Sequence, residues 1–211
     1  MTHIGHSGKM FVVKRFLIIL ILIFIPQTPS LADDIRDFQI EGMSIGDSLL
    51  DYFSKELIEK EKRKRSPYKN NDFFIASFGS KNFNSDIYNA VRFHLRRDDK
   101  TYKIYHVAGI IDYQKEDFKK CVAEKNDIAN ELVKLFGAEK KKEGKLRKHS
   151  YDKSGNSITQ STYFNLSGGR IRILCTDWSK KLTNEKNWRD TLTVNIYSNE
   201  FRKWLKNKAY K

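Results

Sequence analysis

The sequence predicts an α+β fold of antiparallel β-meanders whose amphipathic helices pack on one face of the sheet. Short stretches of alternating apolar and polar residues are joined by turn sequences, of which Gly168-Gly169 is the strongest hairpin signal. Two longer stretches repeat apolar residues at helical spacing instead. Because locally connected strands pair antiparallel, the helices are left to cover one side of the sheet.

The predicted order is a helix and three strands, a second helix and four strands, and a short final helix. The charged tracts 59–71 and 138–148 are predicted to be loops or frayed helix ends. The 179 residues that follow residue 32 suit a single domain over residues 33–211. Two helix-plus-meander modules, 33–113 and 114–211, remain an alternative, although no residue-level repeat relates the two halves.

The first 32 residues have the order of a signal peptide. Lys14-Arg15 precedes an apolar run from Phe16 to Ile25, and Ser30-Leu31-Ala32 carries small residues where a signal peptidase needs them. We predict cleavage after Ala32 and a periplasmic or secreted protein. The alternative is an uncleaved anchor, but a bilayer-spanning helix needs about 20 apolar residues. No transmembrane helix is therefore expected after cleavage.

The mature chain is predicted to be basic. The full sequence has 40 Lys and Arg residues against 26 Asp and Glu residues. Loss of residues 1–32 would remove three basic residues and no acidic one, which leaves a net charge of about +11. Such a charge favours anionic partners such as lipopolysaccharide, phospholipid headgroups or nucleic acid, although no strong nucleic-acid motif is present. A lysine-rich composition without any ligand would give the same charge.

The segment around Ser48 is predicted to begin an amphipathic helix from Ile45 to Lys60. Ser44 and Asp47 have the spacing of a capping box, and apolar residues then recur at helical spacing. Upstream, alternation around Phe38 and a break at Gly42 predict a short strand and a turn.

Gly46-Asp47-Ser48-Leu49 is also the signature tetrapeptide of a large family of serine esterases and lipases. This resemblance implies that Ser48 is a nucleophile. However, the chain lacks that family's Asp-x-x-His block and its Gly-x-Asn-Asp block, and without a base a serine hydroxyl stays protonated and weakly nucleophilic. A helix cap therefore explains Ser48 better, and a serine hydrolase is kept as the alternative.

A second resemblance covers more of the chain. The stretch DIRDFQIEGMSIGDSLLDYFS resembles the N-terminal segment of small exported proteins of uncharacterised function from SAR11-type marine alphaproteobacteria. The likeness is closest from Ile35 to Ser54 and weakens after Phe78. It implies export, and it carries no activity or functional residues over to this chain.

After the first charged tract, Phe73 to Phe78 is a predicted strand and Ile87 to Tyr113 a predicted hairpin. A turn at Asp98-Asp99 would place Val91 opposite His106. His94 would then point to the other side of the sheet from His106, which argues against a two-histidine metal site. The side chains predicted to share a basic face with His94 are Arg92, Arg96 and Lys103.

The two cysteines, Cys121 and Cys175, are predicted to form a disulfide. Cys121 belongs to the apolar stripe of a helix from about Lys115 to a cap at Gly137. Cys175 alternates with apolar residues on the inward face of a meander strand. A helix stripe and an inward sheet face bury each other, and an oxidising compartment favours pairing. Two buried, unpaired thiols are the alternative.

Three functions stay open at this point. The leading interpretation is a non-enzymatic binding or interaction module that uses an exposed sheet face, a groove or an aromatic patch of Trp178, Trp188 and Trp204, although core packing would explain these tryptophans as well. The others are a serine hydrolase using Ser48 and a peripheral binder of anionic envelope surfaces. No metal ligands at a recognised spacing, no glycine-rich phosphate loop and no cofactor motif are evident, so neither catalytic residues nor a cofactor is predicted.

Overall fold

The computed structural model describes residues 34–113 and 117–211, so the predicted signal peptide and its cleavage site lie outside the described residues. Within these ranges the chain forms eight strands and four α-helices. The strands are β1 (Phe73–Gly79), β2 (Ala90–Arg96), β3 (His106–Tyr113), β4 (Lys141–Glu143), β5 (Arg147–Lys148), β6 (Ile158–Leu166), β7 (Gly169–Asp177) and β8 (Asp190–Ser198). The helices are α1 (Lys55–Lys60), α2 (Phe118–Phe136), α3 (Lys180–Lys186) and α4 (Asn199–Asn207).

All eight strands belong to one antiparallel sheet in the order β1-β2-β3-β8-β7-β6-β4, with β5 also paired to β6. The meanders β1-β2-β3 and β6-β7-β8 are the two predicted ones, and the β3–β8 pair joins them in a continuous sheet. The predicted α+β class with antiparallel meanders is therefore confirmed.

Helix α2 packs on one face of the sheet and closes the main core. Its buried stripe includes Ala129, Leu132 and Phe136, as its helical spacing predicts. Gly137 ends the helix with a positive φ of 89°, and its N–H donates to the carbonyl of Val133. The facing side chains of β6, β7 and β8 are Phe164, Ile171, Ile173, Leu192, Val194 and Ile196.

The predicted disulfide is present and joins α2 to β7. Cys121 and Cys175 are bonded, with their Cα atoms 6.0 Å apart, and both lie in the main core. The β6–β7 register pairs Phe164 with Ile171, so the apolar residues of this hairpin share the face of Cys175. The prediction succeeded because both patterns point one side chain of each element inward.

Helix α4 lies on the opposite face, so the prediction that the helices pack on one face is wrong. Phe201 and Trp204 form a second buried cluster with Phe73 and Tyr105. Phe73 and its neighbour Phe74 belong to different clusters because successive strand residues point to opposite faces. Helix α4 thus covers one end of the face that α2 leaves open.

The predicted helix from Ile45 to Lys60 does not form as such. A 3-10 turn at Leu49–Asp51 and the short helix α1 take its place. Gly46 adopts a φ of 100°, and its N–H donates to the carbonyl of Ile104. Leu49 N donates likewise to Tyr102 O, so this segment pairs with residues 101–104 instead of bonding to itself.

The charged tract 138–148 is partly strand, which contradicts its prediction as a loop. Strand β4 adds to the edge of β6, and Glu143 accepts a hydrogen bond of 2.7 Å from Thr162 Oγ1. The fully buried ammonium of Lys125 on α2 lies 2.7 Å from the same Thr162 oxygen and 3.5 Å from Glu143 Oε2. A buried lysine with these partners attaches the charged strand to the core.

Removing the disulfide should destabilise the protein substantially. The bond closes a loop with a sequence separation of 54 residues, and the chain-entropy model assigns such a loop about 4 kcal/mol. We expect the Cys121→Ser/Cys175→Ser variant to lose about this much free energy of unfolding in urea titrations. Intact mass after alkylation under denaturing conditions gives the control: two alkylated thiols in untreated protein would contradict the bond.

Candidate functional site

The face of the sheet opposite α2, which we call the polar face, is defined by two cross-strand rows of side chains. One row is Ile75, His94, His106, Tyr197, Arg170 and Asn165, and the next is Ser77, Arg92, Ala108, Asn195, Arg172 and Tyr163. Neither row contains a carboxylate. Helix α4 lies over the first row, with the ring of Phe201 against both histidines.

The two histidines point to the same side, so the predicted hairpin register is wrong. Val91 pairs with Gly109 and not with His106, so the register differs from the predicted one by three residues. Because side chains alternate between the two faces, an odd difference reverses which side chains of β2 and β3 share a face. His94 is therefore directly opposite His106. The predicted two-residue turn does not form, because residues 101–104 pair with the segment around Ser48.

A continuous chain of hydrogen bonds runs through the pair. Tyr68 Oη lies 2.9 Å from His94 Nε2, and the Nδ1 atoms of His94 and His106 are 2.8 Å apart. His106 Nε2 lies 3.3 Å from Asn195 Oδ1. Both imidazoles are almost completely buried, with exposed fractions of 4% and 3%.

The direction of each hydrogen bond follows from the far end of the chain. Asn195 Nδ2 donates to the carbonyl of Arg172, so Asn195 Oδ1 must face His106 and accept from its Nε2. A neutral His106 then accepts at Nδ1 from His94 Nδ1. A neutral His94 in turn accepts at Nε2 from the Tyr68 hydroxyl. Two neutral imidazoles of opposite tautomers therefore satisfy every polar atom along the chain.

Burial and nearby positive charge keep both imidazoles neutral. Burial, with His106 and then Arg92 as further causes, lowers the pKa of His94 well below its usual value. Burial lowers the pKa of His106 to about 3, although its hydrogen bond to Asn195 opposes the shift. At neutral pH the pair thus holds Tyr68, the sheet and α4 together and carries no charge.

Each arginine of the second row has one buried nitrogen without a hydrogen-bond partner among the described residues. Arg92 Nε and Arg172 Nε are buried, and neither has a hydrogen-bond partner in residues 34–113 and 117–211. Burial and the nearby charge of Arg63 lower the pKa of Arg92 to about 10. Three strand spacings of about 4.8 Å separate the two arginines, or roughly 14 Å between their Cα atoms.

Tyrosine rings border these arginines. The guanidinium carbons of Arg170 and Arg172 lie 5.2 Å and 5.4 Å from the centre of the Tyr163 ring. Burial raises the pKa of Tyr197, and the charge of Arg172 offsets part of that rise. The row therefore combines cationic donors with aromatic surfaces, an arrangement that binds anions and planar groups.

Ser48, the candidate nucleophile, is used structurally. Its Oγ accepts from Leu50 N at 3.2 Å and donates to the carbonyl of Thr101 at 2.7 Å. It caps the 3-10 turn Leu49–Asp51, so the predicted capping role holds for a shorter helix. Asp47 accepts from Ser44 N at 2.8 Å, which is the reverse bond of a capping box.

The three tryptophans do not form one patch. Trp204 is buried in the α4 cluster, where its Nε1 donates to Asn70. Trp178 and Trp188 lie in contact near α3, with ring centres 4.5 Å apart. The described residues contain no group of three or more His, Cys, Asp or Glu side chains placed to hold a metal ion.

Comparison of the chain with protein-family models, curated proteins and solved structures found no match. In the part of the chain that the structure describes, no helix has the length and apolar character needed to cross a membrane.

Acid should destabilise the protein over the range in which free histidine titrates. Each buried histidine has a lowered pKa in the folded state, so its stabilising effect is complete above pH about 6.5 and is lost as the pH falls towards the folded value. We expect a loss of on the order of 3 kcal/mol in the free energy of unfolding between pH 7 and pH 5.

Urea titrations across that range measure the effect, and His149→Gln is the matched control. Burial, and after it the charge of Arg172, lowers the pKa of half-buried His149 as well. A pH dependence that disappears in His149→Gln, or one that is unchanged in His94→Gln/His106→Gln, would contradict the assignment to the buried pair.

Replacing Ser48 tests its structural role against the nucleophile. We expect Ser48→Ala to lower the free energy of unfolding by about 1 kcal/mol, since a cap and a hydrogen bond to Thr101 are lost. Hydrolysis of short acyl esters by the purified protein should be unaffected. An esterase activity that Ser48→Ala abolishes would show that the hydroxyl is catalytic.

Proposed function

We propose that the protein is an exported, non-catalytic binding protein whose polar face binds an anionic ligand of the cell envelope. The single observation that carries the proposal is the pair of buried Arg Nε groups without acceptors, on Arg92 and Arg172. Leaving a buried charged donor unpaired costs several kcal/mol, and an anion on the polar face would remove that cost.

Three other arginines have carboxylate partners, whereas no ion pair joins Arg92 or Arg172 to a carboxylate in the described part of the chain. Arg36 pairs with Asp34 at 2.7 Å, and Arg189 pairs with Asp112 at 2.7 Å. Arg96, on the same strand as Arg92, contacts both Asp98 and Glu200 at 3.0 Å. The contrast supports a ligand for the polar face, because arginine readily forms bidentate pairs with phosphate or carboxylate groups.

The electrostatic surroundings add to this argument. The positive charge of Arg63 lowers the pKa of both Arg92 and His94. The charge of Arg170 likewise lowers the pKa of Arg202 on α4. Like charges that lie close together repel each other, and a bound anion would reduce this repulsion. The arrangement therefore favours anion binding.

Export to an oxidising compartment fits this role. The disulfide between Cys121 and Cys175 is typical of periplasmic and extracellular proteins, and the N-terminal sequence has the order of a signal peptide. Lipid phosphates and acidic polymers are abundant at such surfaces, and they present the anionic groups that arginines recognise.

Vesicle binding tests the proposal. The protein should bind vesicles of phosphatidylglycerol and phosphatidylcholine but not vesicles of phosphatidylcholine alone, in sedimentation assays at low salt. Removal of two charged hydrogen-bond donors in Arg92→Gln/Arg172→Gln should weaken binding at least about tenfold, since each such bond contributes about 1.5–3 kcal/mol. The affinity of the unmodified protein should fall as salt rises to physiological strength.

A matched control separates the site from the net charge. Lys119→Gln/Lys134→Gln removes the same charge from exposed positions of α2, on the other side of the sheet. We expect this variant to bind almost as well as the unmodified protein. Equal losses in the two double variants would show that attraction is non-specific and would refute the site.

A further inference from the structure

We propose that a second site, an open cleft beside α3, binds a neutral sugar ring. The cleft has a volume of about 880 Å³ and lies where β3 ends and β8 begins. The side chains that line it include Asn89, Asp112, Trp188, Arg189 and Asp190. They lie outside the arginine row, and the proposal does not depend on anion binding there.

The indole ring of Trp188 lines the cleft. Trp188 contacts Trp178 and Tyr151, with ring centres 4.5 Å and 4.9 Å apart. The side chain of Tyr151 is 54% exposed. Neighbouring rings hold Trp188 in place while it still lines the cleft. A pyranose ring has a face of C–H groups, and a fixed aromatic ring is the surface on which such a face stacks.

Planar polar side chains line the same cleft. Arg189 Nη1 donates to Asp112 Oδ2 at 2.7 Å, and the backbone N–H of Asp112 donates to Asn89 Oδ1 at 2.8 Å. These bonds fix a carboxylate, a guanidinium and an amide around one opening. A sugar hydroxyl can both donate and accept a hydrogen bond. A carboxylate can accept from it, a guanidinium can donate to it, and an amide can do either.

The charges of the cleft favour a neutral ligand over a nucleic acid. Among the described residues, Asp112 and Asp190 line the cleft with Arg189, so two carboxylates accompany one guanidinium there. A phosphodiester placed against Trp188 would be close to these like charges, whereas sugar hydroxyls can donate to them. Aromatic stacking beside carboxylates and amides therefore indicates a carbohydrate.

Calorimetric titration of the full-length mature protein with neutral tetrasaccharides tests the proposal. Cellotetraose, maltotetraose and chitotetraose are the probes, and we expect at least one to bind at millimolar concentration. Trp188→Ala should weaken that binding at least about tenfold by removing the stacking surface. Tyr210→Ala, which removes a 60% exposed ring that contacts Tyr68 and does not line the cleft, should leave the affinity unchanged.

Asp112→Asn keeps the proposal testable if Trp188→Ala fails to fold. It removes the charge of the carboxylate that Arg189 holds at the opening, and it should weaken sugar binding about threefold or more. Arg92→Gln/Arg172→Gln should not affect it. The proposal is overturned if no tetrasaccharide binds, if both cleft variants bind as well as the unmodified protein, or if Trp188→Ala abolishes binding of a single-stranded oligonucleotide instead.

Discussion

Pairing of β3 with β8 is the contact on which the rest of the structure depends. Eight residue pairs, from His106 with Tyr197 to Tyr113 with Asp190, join the first meander to the second. Without them each meander would be a small sheet with exposed edges that invite aggregation. The same register brings Arg92 and Arg172 into one row, although they are far apart in the sequence. Both the core and the polar face therefore follow from one strand pairing.

The two faces of this sheet are closed to different degrees. On one face α2 buries a continuous apolar layer, and the disulfide from Cys121 to Cys175 fixes the helix to β7. On the other, α4 has only nine residues and covers only the end near Phe73 and His106. Polar side chains thus occupy the part that no helix covers. Because the two faces are covered so differently, the sheet has an apolar core on one face and the row with Arg92 and Arg172 on the other.

The elements predicted well from the sequence are those whose side-chain pattern decides their neighbours. The α2 stripe, the β6–β7 hairpin and the disulfide belong to this group. The helix at Ile45 and the β2–β3 register failed for a common reason. Residues 46–49 form hydrogen bonds with residues 102–104, which are distant in the sequence. This pairing takes the place of both the predicted helix and the predicted hairpin turn. Local residue spacing cannot predict a pairing between segments so far apart. The histidine pair was consequently missed, since its geometry depends on that register. Arg92 was placed on a basic face beside His94, but Arg172 could be joined to it only through β8.

The polar face combines a fully hydrogen-bonded histidine chain with two arginines whose Nε atoms have no partner among the described residues. This difference is the argument for a binding site. From Tyr68 to Asn195 every donor of the histidine chain has an acceptor, so this part is rigid and needs no ligand. One row away, Arg92 and Arg172 hold donors that are buried and unpaired. A purely structural network would satisfy both, as Lys125 is satisfied by Thr162 and Asn126. Unpaired donors on a rigid support are instead the arrangement that a preorganised binding site requires.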